Sequence, residues 1–179
     1  MAECGQRQGF ASELTISVER RTPHFIMLSK SCIYALRAAI YIALQEEDEQ
    51  HVSIRKIADE LGISFHFLTK ILQQLTEAGL LLSLRGPAGG VRLARPAKSI
   101  TLLDIVLVIE GERFFSACLL GLPGCGIQAP CPVHEEWAST RKRLIRMFER
   151  SSLAKLAQEA RSGNIRITDQ FKARHRHRA

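Results

Sequence analysis

The sequence predicts a mainly α fold with one small β wing, a winged helix-turn-helix domain followed by a long amphipathic helix. Three observations carry that reading: two short amphipathic helices broken at Gly62, a glycine-rich segment between two strand-like runs, and an apolar stripe among basic residues beyond Pro132. At 179 residues and 46% hydrophobic content, the chain can bury one proper core. No apolar run reaches the roughly 18 residues that would span a bilayer, which excludes a transmembrane protein.

Residues 1–26 show no clear period and lack the basic-then-apolar order of a secretory signal. They precede Met27, where a helical pattern begins, and read as a disordered extension or as a start assigned too far upstream. Cys4 stays outside the fold with them. From Ser29 the positions Ile33, Leu36, Ala39, Ile40, Ala43 and Leu44 keep the three-four spacing of an amphipathic helix, with Ser29 or Ser31 as cap. The acidic stretch from Glu46 to Glu49 ends it as a solvated loop. Ser53 caps a short helix carrying Ile54, Ile57, Ala58 and Leu61, and Gly62 breaks it. Ser64 caps the next, which buries Leu68, Ile71, Leu72 and Leu75 and stops at Gly79.

Helix, glycine turn and capped second helix form the helix-turn-helix pattern. The second helix turns His66, Thr69, Lys70, Gln73 and Gln74 outward, all able to bond bases or phosphates; an ordinary packed helix pair is the plain alternative. The runs Leu80 to Leu84 and Val91 to Leu93, around Arg85-Gly86-Pro87-Ala88-Gly89-Gly90, favour the wing of a winged helix, with Arg85 and Arg92 in reach of a phosphate or the minor groove. A nucleotide-cradling loop would need the GxxxxGK[ST] spacing and a following helix, and neither is present.

Thr101 caps a helix with Asp104 at its third position and Gly111 at its end. The long helix then starts at Pro132, with Val133, Trp137, Leu144, Ile145 and Phe148 on one stripe and Arg141, Lys142, Arg143 and Arg146 on its other faces. A second copy of the chain is the favoured cover for that stripe, through Trp137, Leu144 and Phe148; packing against its own domain is the alternative. The organisation is therefore 1–26 extension, 27–110 winged helix-turn-helix, 111–131 cysteine loop, 132–162 dimerisation region and 163–179 basic flexible tail.

The formal charge is +7, from 25 Lys+Arg and 18 Asp+Glu, but residues 161–179 alone hold 6 basic residues and 1 acidic residue. A basic pI concentrated in a tail is weak evidence for nucleic acid. Five cysteines without an export signal point to a reducing, cytoplasmic setting and to thiols or a metal rather than disulfides. Cys118, Cys125, Cys131 and His134 fall within 17 residues, interleaved with glycines and prolines that let a loop wrap a compact object. The cysteine gaps of six and five residues suit an iron–sulfur cluster better than the pinched CxxC pairs of structural zinc, which stays open beside thiol–disulfide chemistry. No acid–base pair or Ser/His/Asp set converges, so no enzyme is predicted.

The order YALRAAIYIA, IADELGIS, LTEAGLLLSLRGPAGGVRLARPAKSITLLDIV and then the three-cysteine loop resembles the IscR/NsrR family of bacterial transcription regulators (the Rrf-two superfamily) over about residues 27–160. The resemblance implies a homodimer that binds palindromic double-stranded DNA under control of an iron–sulfur cluster. It implies Cys118, Cys125 and Cys131 as ligands, and His134 as the histidine of the branch that holds a [2Fe-2S] rather than a [4Fe-4S] cluster. Two departures stand out. The first cysteine gap is one residue longer than usual, and Ser31-Cys32-Ile33-Tyr34 lacks the carboxylate another branch uses, leaving Cys32 as an outside candidate ligand. The resemblance also implies Ser64, His66, Thr69 and Lys70 as base-reading positions and Arg85 as the minor-groove arginine. Thr69 replaces an acid there, so no operator sequence carries over. A zinc-stabilised or thiol-switched DNA-binding regulator remains the alternative function.

Overall fold

The computed structural model describes residues 27–45, 51–86, 89–162 and 166–168. The expectations for residues 1–26, for the acidic stretch 46–49 and for the tail beyond 168 lie outside these residues. Among the described residues seven α-helices and one hairpin follow in order: α1 Lys30–Leu44, α2 Ile54–Leu61, α3 Phe65–Glu77, β1 Leu81–Leu84, β2 Gly90–Leu93, α4 Leu102–Glu110, α5 Arg113–Ser116, α6 His134–Arg150 and α7 Leu153–Arg161, with a 3₁₀ turn at Ala97–Ser99. The fold is mostly helical with a two-stranded antiparallel wing.

Each boundary has a local cause. The Ser29 side chain accepts the Cys32 backbone N–H and starts α1. Gly62 adopts a left-handed φ of 64° where α2 ends, and Gly79 one of 71° just past α3. Thr101 and Asp104 form a reciprocal capping box at α4. In the wing Leu81 faces Leu93 and Leu84 faces Gly90. Val52 exchanges two backbone hydrogen bonds with Val91 on the far side of β2, at 2.8 and 2.9 Å. A Cβ at Gly90 would collide with the Val52 carbonyl, so that approach requires glycine.

The main core gathers α1, α2, α3, the wing base and α7 around Ile57, Leu68, Leu72, Leu75 and Leu153. A second, smaller core holds Cys32, Val106 and Phe148, with Leu36, Phe114, Phe115 and Leu144 packed against it. This corrects the expectation for the long helix. It begins at His134 rather than Pro132, because residues 131–134 turn back with the His134 N–H on the Cys131 carbonyl at 3.0 Å. It ends at Arg150, and Ser152 caps a separate α7. There Leu102 N–H donates to Ser151 and Leu153 N–H to Ile100, which splices the α6–α7 joint to the start of α4. Phe148 is 4% exposed and Leu144 partly buried, so both bury against their own chain; Phe148 has no surface to offer a partner.

Cys32 is fully buried, and burial, with the Glu110 carboxylate adding to it, pushes its thiol up to about 12. It is a small core residue, and the outside possibility that it ligates a metal is set aside. A raised pKa keeps the folded thiol neutral throughout the ordinary range. At pH 8 iodoacetamide should therefore leave Cys32 unmodified in the folded protein and label it once urea unfolds the chain. Labelling at equal rates in both states would contradict the placement. Phe148→Ala should cost about 3–5 kcal/mol in a urea titration, as an emptied aromatic core site does.

Candidate functional site

Two regions carry the chemistry. The first is the outer face of α3 with the wing. Four buried residues, Leu68, Ile71, Leu72 and Leu75, pin α3 to the core and turn the opposite side outward. Ser64, His66, Lys70, Gln73 and Gln74 are exposed, and Ser64 makes no side-chain cap bond, which leaves its hydroxyl available. Thr69 is half-buried, and its hydroxyl donates to the Phe65 carbonyl at 2.8 Å. Arg55 lies 4.7 Å over the Phe65 ring, holding a cation at the start of α3; with exposed Lys56 it extends the basic face in a way the α2 pattern did not signal. Arg85 and Arg92 are both exposed on the wing, Arg92 because strand alternation buries Val91 and Leu93 on either side.

The second region is the loop from Cys118 to His134. It leaves α5, turns at Cys118 with the Gly121 N–H on its carbonyl at 3.0 Å, and passes left-handed Gly121 and Gly124. These turns fold the loop back on itself and bring the three predicted cysteine ligands together, with His134 against one of them. The Sγ atoms of Cys118, Cys125 and Cys131 lie within 4.8 Å of one another. Cys118 and Cys131 are 3.7 Å apart, and Cys125 Sγ is 3.3 Å from His134 Nδ1. A tetrahedral ion with metal–sulfur bonds of about 2.3 Å sets its sulfurs about 3.8 Å apart, so the thiol pair already has the edge such a centre needs. Soft thiols with one imidazole fit zinc or cluster iron alike.

The thiols are not equivalent. Hydrogen bonding from the Leu122 backbone, helped by Leu120 and the other two thiols, brings Cys118 down to about 7. At Cys125 the Cys131 backbone also favours the thiolate, yet partial desolvation and the neighbouring Cys118 outweigh it and raise the value. Cys118 therefore ionises more readily than Cys125.

Loop and helix are fastened at one carbonyl. Trp137 Nε1 donates to Ala117 O at 2.9 Å and Arg141 Nη1 donates to the same oxygen at 3.2 Å. The sequence pattern placed Trp137 on a partner-facing stripe and Arg141 among solvated cations; their four-residue spacing on α6 is the signal that they act together. Trp137→Phe deletes one of these bonds, worth about 1 kcal/mol. Amide exchange over residues 117–131 should then quicken about fivefold, with α2 and α3 unchanged. Unaltered exchange in the loop would show that the clamp does not hold it.

Over residues 28–159 the chain matches the family described as Rrf2, iron-dependent transcriptional regulator. It is 41% identical over 123 residues to protein aau3 of Rhizobium meliloti, covering 68% of this chain and 77% of that protein. Among solved structures it is similar to CymR, the global cysteine regulator of B. subtilis, with 27% identity, TM-score 0.63 and coverage of 74% of this chain and 96% of that one. T. potens IscR is as near, with 26% identity, TM-score 0.63 and coverage of 79% and 93%. A helix-turn-helix followed by a wing, in a chain matched over residues 28–159 and aligned with solved regulators across most of their length, makes this protein a member of the Rrf2 family of DNA-binding transcriptional regulators.

Proposed function

We propose that this regulator is a homodimer whose operator binding is set by an iron–sulfur cluster, [2Fe-2S] in type, held by Cys118, Cys125, Cys131 and His134. The observation that carries this reading is the convergence of three Sγ atoms within 4.8 Å, with an imidazole nitrogen against one of them. Three thiolates and a histidine fit a cluster in which an imidazole replaces one cysteine better than the four-thiolate set of [4Fe-4S] centres. Bound there, such a cluster supplies ligation that oxidants, nitric oxide or iron shortage can undo.

The chain's own part is mechanical. Cys118 hangs from α5 and is tied to α6 through Ala117, while Cys131 and His134 form the entry to α6. Drawing the four ligands together fixes the start of α6. With Phe148 taken by its own core, half-buried Trp137 and Leu144 are the positions of the α6 stripe left to meet a second copy, and Lys142, Arg143 and Arg146 stay solvated. Two copies place two α3 helices on the half-sites of a palindrome, one DNA turn apart. There Ser64, His66, Thr69 and Lys70 meet bases, and Arg85 and Arg92 grip phosphate or the minor groove.

A second reading has its own support: the 3.7 Å between Cys118 and Cys131 is close enough for a disulfide after small side-chain rotations. Structural zinc on the same donors is a third. Anaerobic purification followed by iron, sulfide and zinc assays separates them. Iron and sulfide in equal amounts, lost in Cys125→Ala, supports the cluster, provided operator affinity then differs between loaded and stripped protein. Colourless protein with stoichiometric zinc would remove it. Metal-free protein carrying a Cys118–Cys131 bridge would establish the thiol switch instead. On the DNA side, Arg85→Ala should weaken operator binding and reduce the slope of log affinity against log salt by about one; an unchanged slope would take the wing arginine off the DNA.

A further inference from the structure

A threonine on a base-reading face ordinarily offers a donor, an acceptor and a methyl group. Thr69 offers less. Its hydroxyl hydrogen is spent on the Phe65 carbonyl one turn back, at 2.8 Å, and the oxygen is held against the backbone of its own helix. What remains for a base edge is the γ-methyl, beside an oxygen that can only accept. Thr76 makes the same bond to Leu72, but two turns further on, beyond the N-terminal residues that meet bases when a recognition helix enters the major groove. Thr69 stands at the border of the polar face: His66 and Lys70 are exposed on one side of it, half-buried Phe65 lies on the other, and Ser64 is exposed at the helix start. An apolar contact amid groups that bond phosphates and base edges has one natural counterpart in the major groove, the C5-methyl of thymine.

We propose that Thr69 is a thymine reader: its γ-methyl packs on the C5-methyl of one thymine in each operator half-site. The proposal rests on α3 being the recognition helix and goes beyond it by assigning one side chain to one base. It requires a donor-free contact, which separates it from hydrogen-bonded readout. A methyl pair removed from water is worth about a threefold to fivefold difference in affinity.

The test uses the full-length dimer and an operator selected by it from random duplex DNA. Each thymine is replaced in turn by deoxyuridine, in both half-sites, and affinity is read by fluorescence anisotropy. One symmetry-related position should cost the wild type about threefold to fivefold per half-site. Thr69→Val, which keeps a methyl and loses the hydroxyl, should retain that sensitivity. Thr69→Ser, which keeps the hydroxyl and loses the methyl, should bind thymine DNA only as well as the wild type binds the uracil version, and lose nothing further on substitution. Sensitivity that survives in Thr69→Ser and vanishes in Thr69→Val would overturn the proposal in favour of the acceptor oxygen. Uracil-insensitive wild type would overturn it as well. His66→Ala and Lys70→Ala keep the two levels apart. If they weaken specific binding while uracil has no effect, only the thymine assignment falls; if they leave it unchanged, the reading of α3 falls and takes this proposal with it.

Discussion

The docking of α6 on α4 through Phe148 is the constraint on which the rest of the molecule depends. A long helix carrying five basic residues between Arg141 and Arg150 has little reason to lie on a domain unless something apolar holds it. Phe148 supplies the anchor, edge-on to Phe115 at 6.0 Å and shut in with Cys32 and Val106. The cysteine loop hangs from two points of that arrangement, Phe114–Phe115 at its start and α6 at its end. Its three thiols meet because both points are fixed, and α4, which connects them to the wing, is fixed by the same contact.

Fixing the ends of a loop leaves its middle to be shaped by turns, and here the turns also tune chemistry. The Gly121 N–H closes the bend at Cys118, and the backbone of Leu120 and Leu122 on either side of it stabilises the Cys118 thiolate. One turn therefore shapes the loop and lowers the pKa of one of its thiols. Across the domain α7 works in the same economical way. Arg161 lies at its end with a guanidinium on the Ala43 and Leu44 carbonyls, where the last turn of α1 has acceptors to spare.

Much of this was legible in the sequence because it is local. Caps at Ser29 and Thr101, helix stops at Gly62 and Gly79 and the glycine-rich wing are each written within a few residues, and each stands where the pattern placed it. The convergence of Cys118, Cys125 and Cys131 was legible as well, since soft donors among glycines have few structural uses. What was not legible is long-range. Periodicity shows that Phe148 belongs to an apolar stripe but not which surface covers it, and the cover is α4 of the same chain. The break at Ser151 follows from pairing with Ile100 and Leu102, some fifty residues away, and the Ser152 cap marks it locally. The bond that spends the Thr69 hydroxyl is a choice of rotamer, which composition does not reveal.

Val52 has a consequence of its own. By bonding the far side of β2 at Val91, one step from the tip, it adds a single third rung to the two-stranded wing and covers the edge of β2 at that position. A strand from another molecule would have to displace Val52 to pair there, which hinders one route to aggregation that hairpins ordinarily leave open. It also hinges the wing to the segment joining α1 and α2 rather than to α3 alone. The register of Val91 and the outward aim of Arg92 are thereby held from outside the hairpin as well as by its own pairing.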